Sequence, residues 1–165
     1  MEKLDKFNII NGEVIKDNFC NAPEDELGEF SEFEMGLKHF CFDHNRYITL
    51  EIGEVEKTIH LYYDVLDPIE NGLCLEILNL AKGYKIVINF NDFLLYMNPN
   101  LSLQIIDCRL ETIGTKEAYC YILSLSDTLA KIHFFIDSIL THAVEKDYLN
   151  QSDIFKYLGW NLNDG

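Results

Sequence analysis

The sequence predicts an α+β fold in which a long amphipathic helix packs on one face of a mostly antiparallel sheet, with a short C-terminal helix after it. From residue 126 to residue 148 the apolar residues recur at the three- and four-residue spacing of a helix. Several earlier segments alternate apolar and polar residues, which is typical of half-buried antiparallel strands. Because an isolated helix of this length is marginally stable in water, we expect the strands to cover its apolar stripe.

The length and composition of the chain are those of one folded domain. Of its 165 residues, 48% are hydrophobic and 13% aromatic, which is enough apolar surface for an ordered fold without stabilising metals or disulfides. No internal repeat, low-complexity tract or flexible linker interrupts the sequence. We therefore expect a single α+β domain over residues 1–165.

Strand patterns fill the beginning of the chain. The pair Asn11-Gly12 is a two-residue turn signal between apolar pairs, and it predicts a small hairpin within residues 1–16. Between Leu37 and Val65 apolar and polar residues alternate, which predicts a three-stranded antiparallel meander. We expect Asp67-Pro68 to end it.

The middle of the chain predicts one helix and further strands. Residues 70–82 are rich in leucine and precede Gly83, a residue favoured just after a helix end, so they predict a short helix. The consecutive β-branched residues within 84–90 predict a strand covered on both faces. Residues 94–97 continue the core until Asn98-Pro99-Asn100, where we expect the strand to break.

A hairpin is expected to lead directly into the long helix. Its predicted strands are 103–113 and 118–125, joined by the polar sequence 114–117. Ser126 or Asp127 is the expected N-cap, because such side chains accept hydrogen bonds from the free N–H groups of the first helical turn.

The C-terminal segment predicts a short capped helix. Ser152 is its expected N-cap and Gly159 its stop signal, and we expect Trp160 to pack against the fold. Phe134 lies outside the apolar stripe of the long helix, so it is either exposed or covered by a terminal segment such as the one around Trp160.

Charge is the property that most restricts the choice of partner. Lys and Arg total 13 against 28 Asp and Glu, which gives a formal net charge of -15. Such a surface repels phosphate backbones and anionic lipids, so we expect no direct nucleic-acid binding and no membrane binding. A basic protein would instead be attracted at long range.

Cysteine usage and the opening residues indicate the compartment. The five cysteines are an odd number, scattered along the chain, and none forms a CxxC motif. The first residues are charged rather than apolar, and no run reaches the roughly 18 apolar residues of a membrane helix. We expect a cytoplasmic protein.

An acidic segment, residues 17–37, contains the predicted binding surface. Its carboxylates would attract a basic protein, and its aromatic side chains would anchor that protein by desolvation. Two alternatives accompany this interpretation. The segment forms an amphipathic helix whose aromatic side chains face the core, or it is a partly extended loop, because Gly28 and Gly36 weaken a helix. The predicted partner-binding residues are Glu24, Asp25, Glu26, Glu29, Phe30, Glu32, Phe33 and Glu34.

A second candidate site is the cluster His39, Cys41, Asp43 and His44. On a strand, the first three of these side chains would share one face, with His44 in the following turn. Thiolate and imidazole are good zinc ligands, and a histidine lowers the pKa of a neighbouring thiol. The cluster lacks the second ligand pair that structural zinc sites usually have, so we expect no metal and no cofactor.

These observations give one leading hypothesis and two alternatives. Because the chain lacks the GxGxxG, GxxxxGK[ST], GxSxG and HExxH motifs, we expect no enzyme. The leading hypothesis is an acidic protein-binding inhibitor, typically an immunity protein that neutralises a basic, nuclease-type toxin by occluding its active or substrate-binding surface. The alternatives are a small metal- or thiol-dependent enzyme or ligand-binding protein using the His39 cluster, and a nucleic-acid mimic that inhibits a restriction or CRISPR effector.

Overall fold

The computed structural model describes residues 4–11, 28, 31–44, 47–66, 73–115 and 117–158. Helices and antiparallel strands occur together in these ranges, so the predicted α+β class is confirmed. The helices are α1 (Glu32–His44), α2 (Leu73–Ala81), α3 (Leu125–Glu145) and α4 (Gln151–Leu158). Among the helices in the described ranges, none is both long and apolar enough to cross a membrane.

The strands of the described residues form two antiparallel sheets, with the orders β1-β2-β3 and β4-β5-β6-β7. In both sheets, neighbouring strands follow one another in the chain, and α1 lies between β1 and β2. The strands are β1 (Phe7–Asn11), β2 (Tyr47–Ile52), β3 (Val55–His60), β4 (Ile86–Asn89), β5 (Phe93–Asn100), β6 (Ile105–Thr112) and β7 (Ala118–Ser124).

α3 is the predicted long helix, and it connects the two sheets. It packs against β1 in the first sheet and against β6 and β7 in the second. Its buried stripe includes Ile132, Ile136 and Leu140, each at most 1% exposed, as the helical spacing predicts. The main core of the molecule therefore lies between this helix and the inner faces of both sheets.

The N-cap of α3 differs from the prediction. Ser124 is the cap, and its side chain accepts a hydrogen bond of 3.2 Å from the N–H of Asp127. Ser126 and Asp127 lie inside the first turn instead, where the Asp127 carboxylate interacts favourably with the helix dipole. Similarly, Ser152 lies inside the first turn of α4, which begins at Gln151.

The chain before β1 joins the two sheets at their edges. The N–H of Asp5 donates to the carbonyl of Ile122 on β7 at 2.7 Å, and the Asp5 carboxylate accepts from the N–H of Ile122 at 2.9 Å. The carbonyl of Lys6 then accepts a hydrogen bond of 2.8 Å from Gly53, in the turn between β2 and β3. One short segment thus pairs with the last strand of one sheet and enters the first strand of the other.

The predicted meander over 37–65 is only partly correct. β2 and β3 are its second and third strands, but residues 37–44 belong to α1 and residues 61–66 form a π-helical turn. The alternation around Phe40 was misleading because a short apolar stretch fits both the two-residue period of a strand and the 3.6-residue period of a helix. Leu37, Phe40 and Cys41 are all fully buried, and their spacing is that of one helix face.

α2 confirms the predicted short helix, including its glycine stop signal. Gly83 has a φ of 91°, and its N–H donates to the carbonyl of Leu80 at 3.1 Å. The N–H of Tyr84 donates to the carbonyl of Asn79 at 2.9 Å. These two bonds form a Schellman motif, which needs a left-handed residue that glycine adopts without strain.

Two predictions for the second sheet are wrong. β4 is buried on one face only, since Val87 is 49% exposed between Ile86 and Ile88. The expected break at Asn98-Pro99-Asn100 is absent, because β5 continues to Asn100 in register with β6. The N–H of Ile113 donates to the carbonyl of Asp92, and in an antiparallel pair only every second residue bonds to the neighbouring strand. The backbone nitrogen of Pro99 therefore points away from β6, towards the side of β5 where the pairing with β4 does not extend to Pro99. Its missing N–H therefore removes no ladder bond.

Some predictions fall on residues that the structure does not describe. The second arm of the hairpin predicted within residues 1–16 is among them. Its first arm is β1, which pairs with β2, with Phe7 opposite Ile52. The end signal Asp67-Pro68 and the C-terminal residues Gly159 and Trp160 also lie outside the described residues.

Candidate functional site

Both candidate sites predicted from the sequence include residues of α1. The acidic segment contributes Glu32, Phe33 and Glu34 to its first turn, and the second cluster lies in its last two turns. The remaining predicted binding residues lie outside the described residues; they are Glu24, Asp25, Glu26, Glu29 and Phe30.

The start of α1 is defined by a local cap. The N–H of Glu34 donates to Ser31 Oγ at 3.2 Å, and the N–H of Met35 donates to the Ser31 carbonyl at 3.0 Å. Ser31 and Glu34 have the S-x-x-E spacing of a capping box. Acidic residues in this first turn also interact favourably with the helix dipole.

One face of α1 is exposed and carries ionisable side chains. Glu32, His39 and Asp43 are exposed and lie seven and four residues apart, which places them on one side of the helix. His44 follows at the helix end, and Tyr148, which follows α3, contacts this end of α1. We call these five residues the α1 surface.

Tyr148 links Asp43 and His44 through hydrogen bonds. Its hydroxyl donates to Asp43 Oδ2 at 2.8 Å, and its oxygen lies 3.1 Å from His44 Nε2. Because the single hydroxyl proton of Tyr148 is used at Asp43, the His44 nitrogen acts as the donor in the second bond. The Tyr148 ring also packs edge-on against Phe40, with centroids 5.6 Å apart, so its orientation is fixed on several sides.

The end of α3 places Tyr148 at this position. The N–H of Asp147 donates to the Val144 carbonyl at 3.0 Å, and the N–H of Tyr148 donates to the Ala143 carbonyl at 2.9 Å. This is a Schellman motif, with Asp147 in the left-handed region at a φ of 66°. The motif turns the chain sharply, so the Tyr148 side chain faces α1 rather than continuing along the axis of α3.

Gly36 allows α1 to approach this turn closely. A Cβ at Gly36 would overlap the carbonyl oxygen of Tyr148 and would crowd a methyl group of Leu149. The glycine that weakens the sequence-based prediction of a helix is therefore required by the packing of that helix.

The Asp43 hydrogen bond changes the acidity of Tyr148. This bond, together with partial burial and the Asp43 charge, raises the pKa of Tyr148 above its usual value of 10.0. Near neutral pH Tyr148 is therefore protonated and acts as a fixed hydrogen-bond donor with an apolar ring. These properties suit recognition better than proton abstraction.

The predicted arrangement of the His39 cluster is wrong. On the helix, Cys41 faces the core and is fully buried, whereas His39 and Asp43 face outwards. Burial raises the pKa of the Cys41 thiol well above its usual range, which disfavours the thiolate needed for catalysis or metal binding. In the part of the chain that the structure describes, no three His, Cys, Asp or Glu side chains form a group that could hold a metal ion.

The three described residues of the acidic segment have different environments. Glu32 is exposed, whereas Phe33 is half-buried and packs against the core. Glu34 is also half-buried, and its Oε2 atom has no hydrogen-bond partner among the described residues. Of these three, Glu32 is the one available to a partner protein.

Tyr148 was not predicted as a site residue. It lies 105 residues after Asp43, and no local pattern in the sequence indicates that the two meet. The S-x-x-E pattern at Ser31 is, in contrast, a local signal that would have identified α1 and separated Cys41 from His39.

Comparison of the chain with protein-family models, with curated proteins and with solved structures found no match.

Proposed function

We propose that the protein is an acidic protein-binding inhibitor of the cytoplasm, typified by an immunity protein that neutralises a basic, nuclease-type toxin. The observation that carries the proposal is the α1 surface, where the carboxylates of Glu32 and Asp43 accompany a tyrosine held in one orientation. The formal net charge of -15 gives the whole molecule the same preference for a cationic partner.

The charge and the tyrosine have separate roles in this proposal. Long-range attraction between opposite charges raises the rate of association with a basic protein. Tyrosine is one of the residue types that most often dominate binding energy in protein interfaces. Because Tyr148 is already fixed by Asp43, His44 and Phe40, less conformational entropy is lost when a partner covers it.

The expected effect on the partner follows from the chemistry of nucleic-acid binding. A nuclease must present lysine and arginine where it holds phosphate groups, and an acidic protein docked there prevents substrate from entering. We therefore expect inhibition by occlusion of the active or substrate-binding surface. In the nucleic-acid-mimic variant of this function, the captured protein is a restriction or CRISPR effector.

The experiment is affinity capture from the source-cell lysate by the purified full chain, at low and then moderate salt. Recovery of one basic protein, in a stoichiometric complex that weakens with salt and loses nuclease activity, supports the proposal. Capture of the same protein with undiminished activity contradicts inhibition.

A metal assay on the same purified sample separates the enzyme alternative. Stoichiometric metal together with no captured protein contradicts the inhibitor proposal and directs attention to His39, Asp43 and His44.

A further inference from the structure

An apolar groove of about 450 Å³ lies between β1 and α3. Asn8, Ile9 and Ile10 line it from the strand, and Lys131 and Phe134 line it from the helix. Phe134 is 74% exposed and Ile10 is 46% exposed. A pair of large apolar side chains left in water beside an open groove is a feature of binding surfaces.

The strand wall of this groove is the edge of a sheet. β1 pairs with β2 on one side and with no other described strand. The carbonyl of Lys6 accepts a hydrogen bond from the N–H of Gly53. Because every second residue of an antiparallel strand bonds to its neighbour, the backbone N–H and C=O groups of Lys6, Asn8 and Ile10 point towards β2. The backbone groups of Phe7 and Ile9 consequently point to the opposite side, where the groove lies.

Lys131 confirms the direction of this edge. Its Nζ donates a hydrogen bond of 2.9 Å to the carbonyl of Phe7, so α3 faces the unpaired side of β1. No other described residue bonds to this edge of β1. The edge beside Ile9 therefore offers a backbone donor and acceptor to an added chain.

The carboxylates next to the groove are each paired with a lysine. Lys131 is paired with Asp127 at 3.1 Å, and Glu51, which accepts from the Asn8 amide at 3.3 Å, is paired with Lys6 at 3.5 Å. The preference for one sign of charge therefore comes from the molecule as a whole, which carries a net charge of -15. A second copy of this chain would bring the same negative charge, whereas a cationic segment would be attracted.

We propose that this groove binds an extended, cationic segment of another polypeptide by adding it as a strand to β1. The added backbone bonds to the edge beside Ile9, and an apolar side chain inserts between Ile10 and Phe134. Alternate side chains of such a segment point away from the groove and carry Lys or Arg. The proposal uses none of the residues of the α1 surface and does not depend on the inhibitory function.

The probe is a labelled seven-residue peptide of alternating lysine and valine with blocked ends, titrated into the full chain. Binding is measured by fluorescence anisotropy, and backbone amide resonances are followed by NMR. We expect saturable binding with shifts and slowed hydrogen exchange at the Ile9 amide. A peptide of alternating glutamate and valine should bind more weakly, because its charge has the wrong sign.

Two substitutions test the site itself. Phe134→Ser should weaken binding of the lysine-valine peptide about tenfold, since an exposed anchor is removed without disturbing the core. Leu103→Ser is the matched control, because Leu103 is 66% exposed in the turn between β5 and β6, and it should leave binding unchanged.

Three outcomes would overturn the proposal. The first is no binding at millimolar peptide, or equal binding by Phe134→Ser. The second is equal binding of a lysine-valine peptide whose backbone nitrogens are all methylated, because such a backbone has no N–H to donate to the edge beside Ile9. The third is concentration-dependent self-association of the chain that Phe134→Ser abolishes, which would make a second copy the occupant. Slower association of the captured partner with Glu32→Lys, with peptide binding intact, would separate this groove from the proposed inhibitory surface.

Discussion

The hydroxyl of Tyr148 donates a 2.8 Å hydrogen bond to Oδ2 of Asp43, a residue 105 positions earlier in the chain. The bond joins the turn after α3 to the last turn of α1. It therefore connects the helix that organises the core to the helix that carries the exposed carboxylates. The position of the α1 surface relative to the rest of the fold depends on this contact and on the close approach at Gly36.

The Tyr148–Asp43 bond predicts a specific response to alkaline pH. The pKa of Tyr148 is raised in the folded state, so the unfolded chain releases this proton first as the pH rises past about 10. The contribution of Tyr148 to stability is thus complete below pH 10 and is lost above it. Tyr148→Phe should lose stability less steeply than the wild type in urea titrations between pH 9 and about 11. At neutral pH the variant should be less stable by at most about 1 kcal/mol, because the bond is solvent-exposed.

Parallel alkaline curves for Tyr148→Phe and the wild type would contradict this assignment. Tyr121 also has a raised pKa, chiefly because of burial. It is present in both proteins, so the difference between the two curves isolates Tyr148.

Gly36→Ala should destabilise the protein although alanine is the better helix former. The propensity gain is about 1 kcal/mol, but the new methyl group overlaps the Tyr148 carbonyl oxygen. Displacing that backbone costs about 1–3 kcal/mol beyond the gain. Chemical denaturation followed by circular dichroism measures the net change.

His39→Ala is the matched control for helix propensity, because His39 is exposed on the same helix. It should leave the free energy of unfolding unchanged or slightly increased. If Gly36→Ala behaved in the same way, the close contact between α1 and Tyr148 would be absent in solution.

Reversing the charge of Glu32 should slow association with the captured partner. Glu32→Lys removes an exposed carboxylate of the α1 surface, so we expect an association rate about tenfold lower and a weaker salt dependence. The thermal midpoint should fall only slightly, because Glu32 has no ion-pair partner among the described residues and only its favourable interaction with the helix dipole is lost. Stopped-flow or surface-binding kinetics at several salt concentrations provide the test.

Glu56→Lys provides a control with the same change in net charge. Glu56 is exposed on β3 in the first sheet, outside the α1 surface. A smaller effect at Glu56 than at Glu32 is expected. Equal slowing by both variants would mean that total charge drives association and that the α1 surface has no special role.

The cysteines should differ sharply in reactivity. Cys120 is exposed, whereas Cys41 and Cys108 are buried, and burial raises the pKa of the Cys108 thiol to about 12. Brief alkylation of the native protein followed by peptide mass spectrometry should therefore modify Cys120 and spare Cys41 and Cys108, as well as Cys74, which is also buried. Rapid labelling of Cys41 would revive the thiol-dependent alternative.

The parts of the fold that the sequence predicted correctly depend on local signals. The apolar stripe of α3 extends over several turns, and only a helix fits so many spacings at once. The end of α2 at Gly83 was predictable for a related reason, since the Schellman motif favours one residue type at one position.

Residues 37–44 of α1 were wrongly predicted as a strand because the stretch of alternating residues there is short. Phe40 and Phe42 alternate like strand residues, yet Phe40 is fully buried and Phe42 is only half-buried on a different side of the helix. The cap at Ser31 distinguishes the two interpretations, as it specifies a helix that starts before this window. The bond between Tyr148 and Asp43 was not predictable, because it arises when two distant helix ends pack together.

The hydrogen bonds between Asp5 and Ile122 also have a consequence for biosynthesis. β1 and the residues just before it reach these partners only after β7 and α3 have been made, since Asp5 bonds to Ile122 and Phe7 bonds to Lys131. Until then the backbone of Asp5 and Phe7 lacks these hydrogen-bond partners in the nascent chain. Contacts of such long sequence separation slow folding and postpone it until late in translation. Nascent chains that end before residue 122 should therefore depend on chaperones, and the completed chain should fold as one cooperative unit.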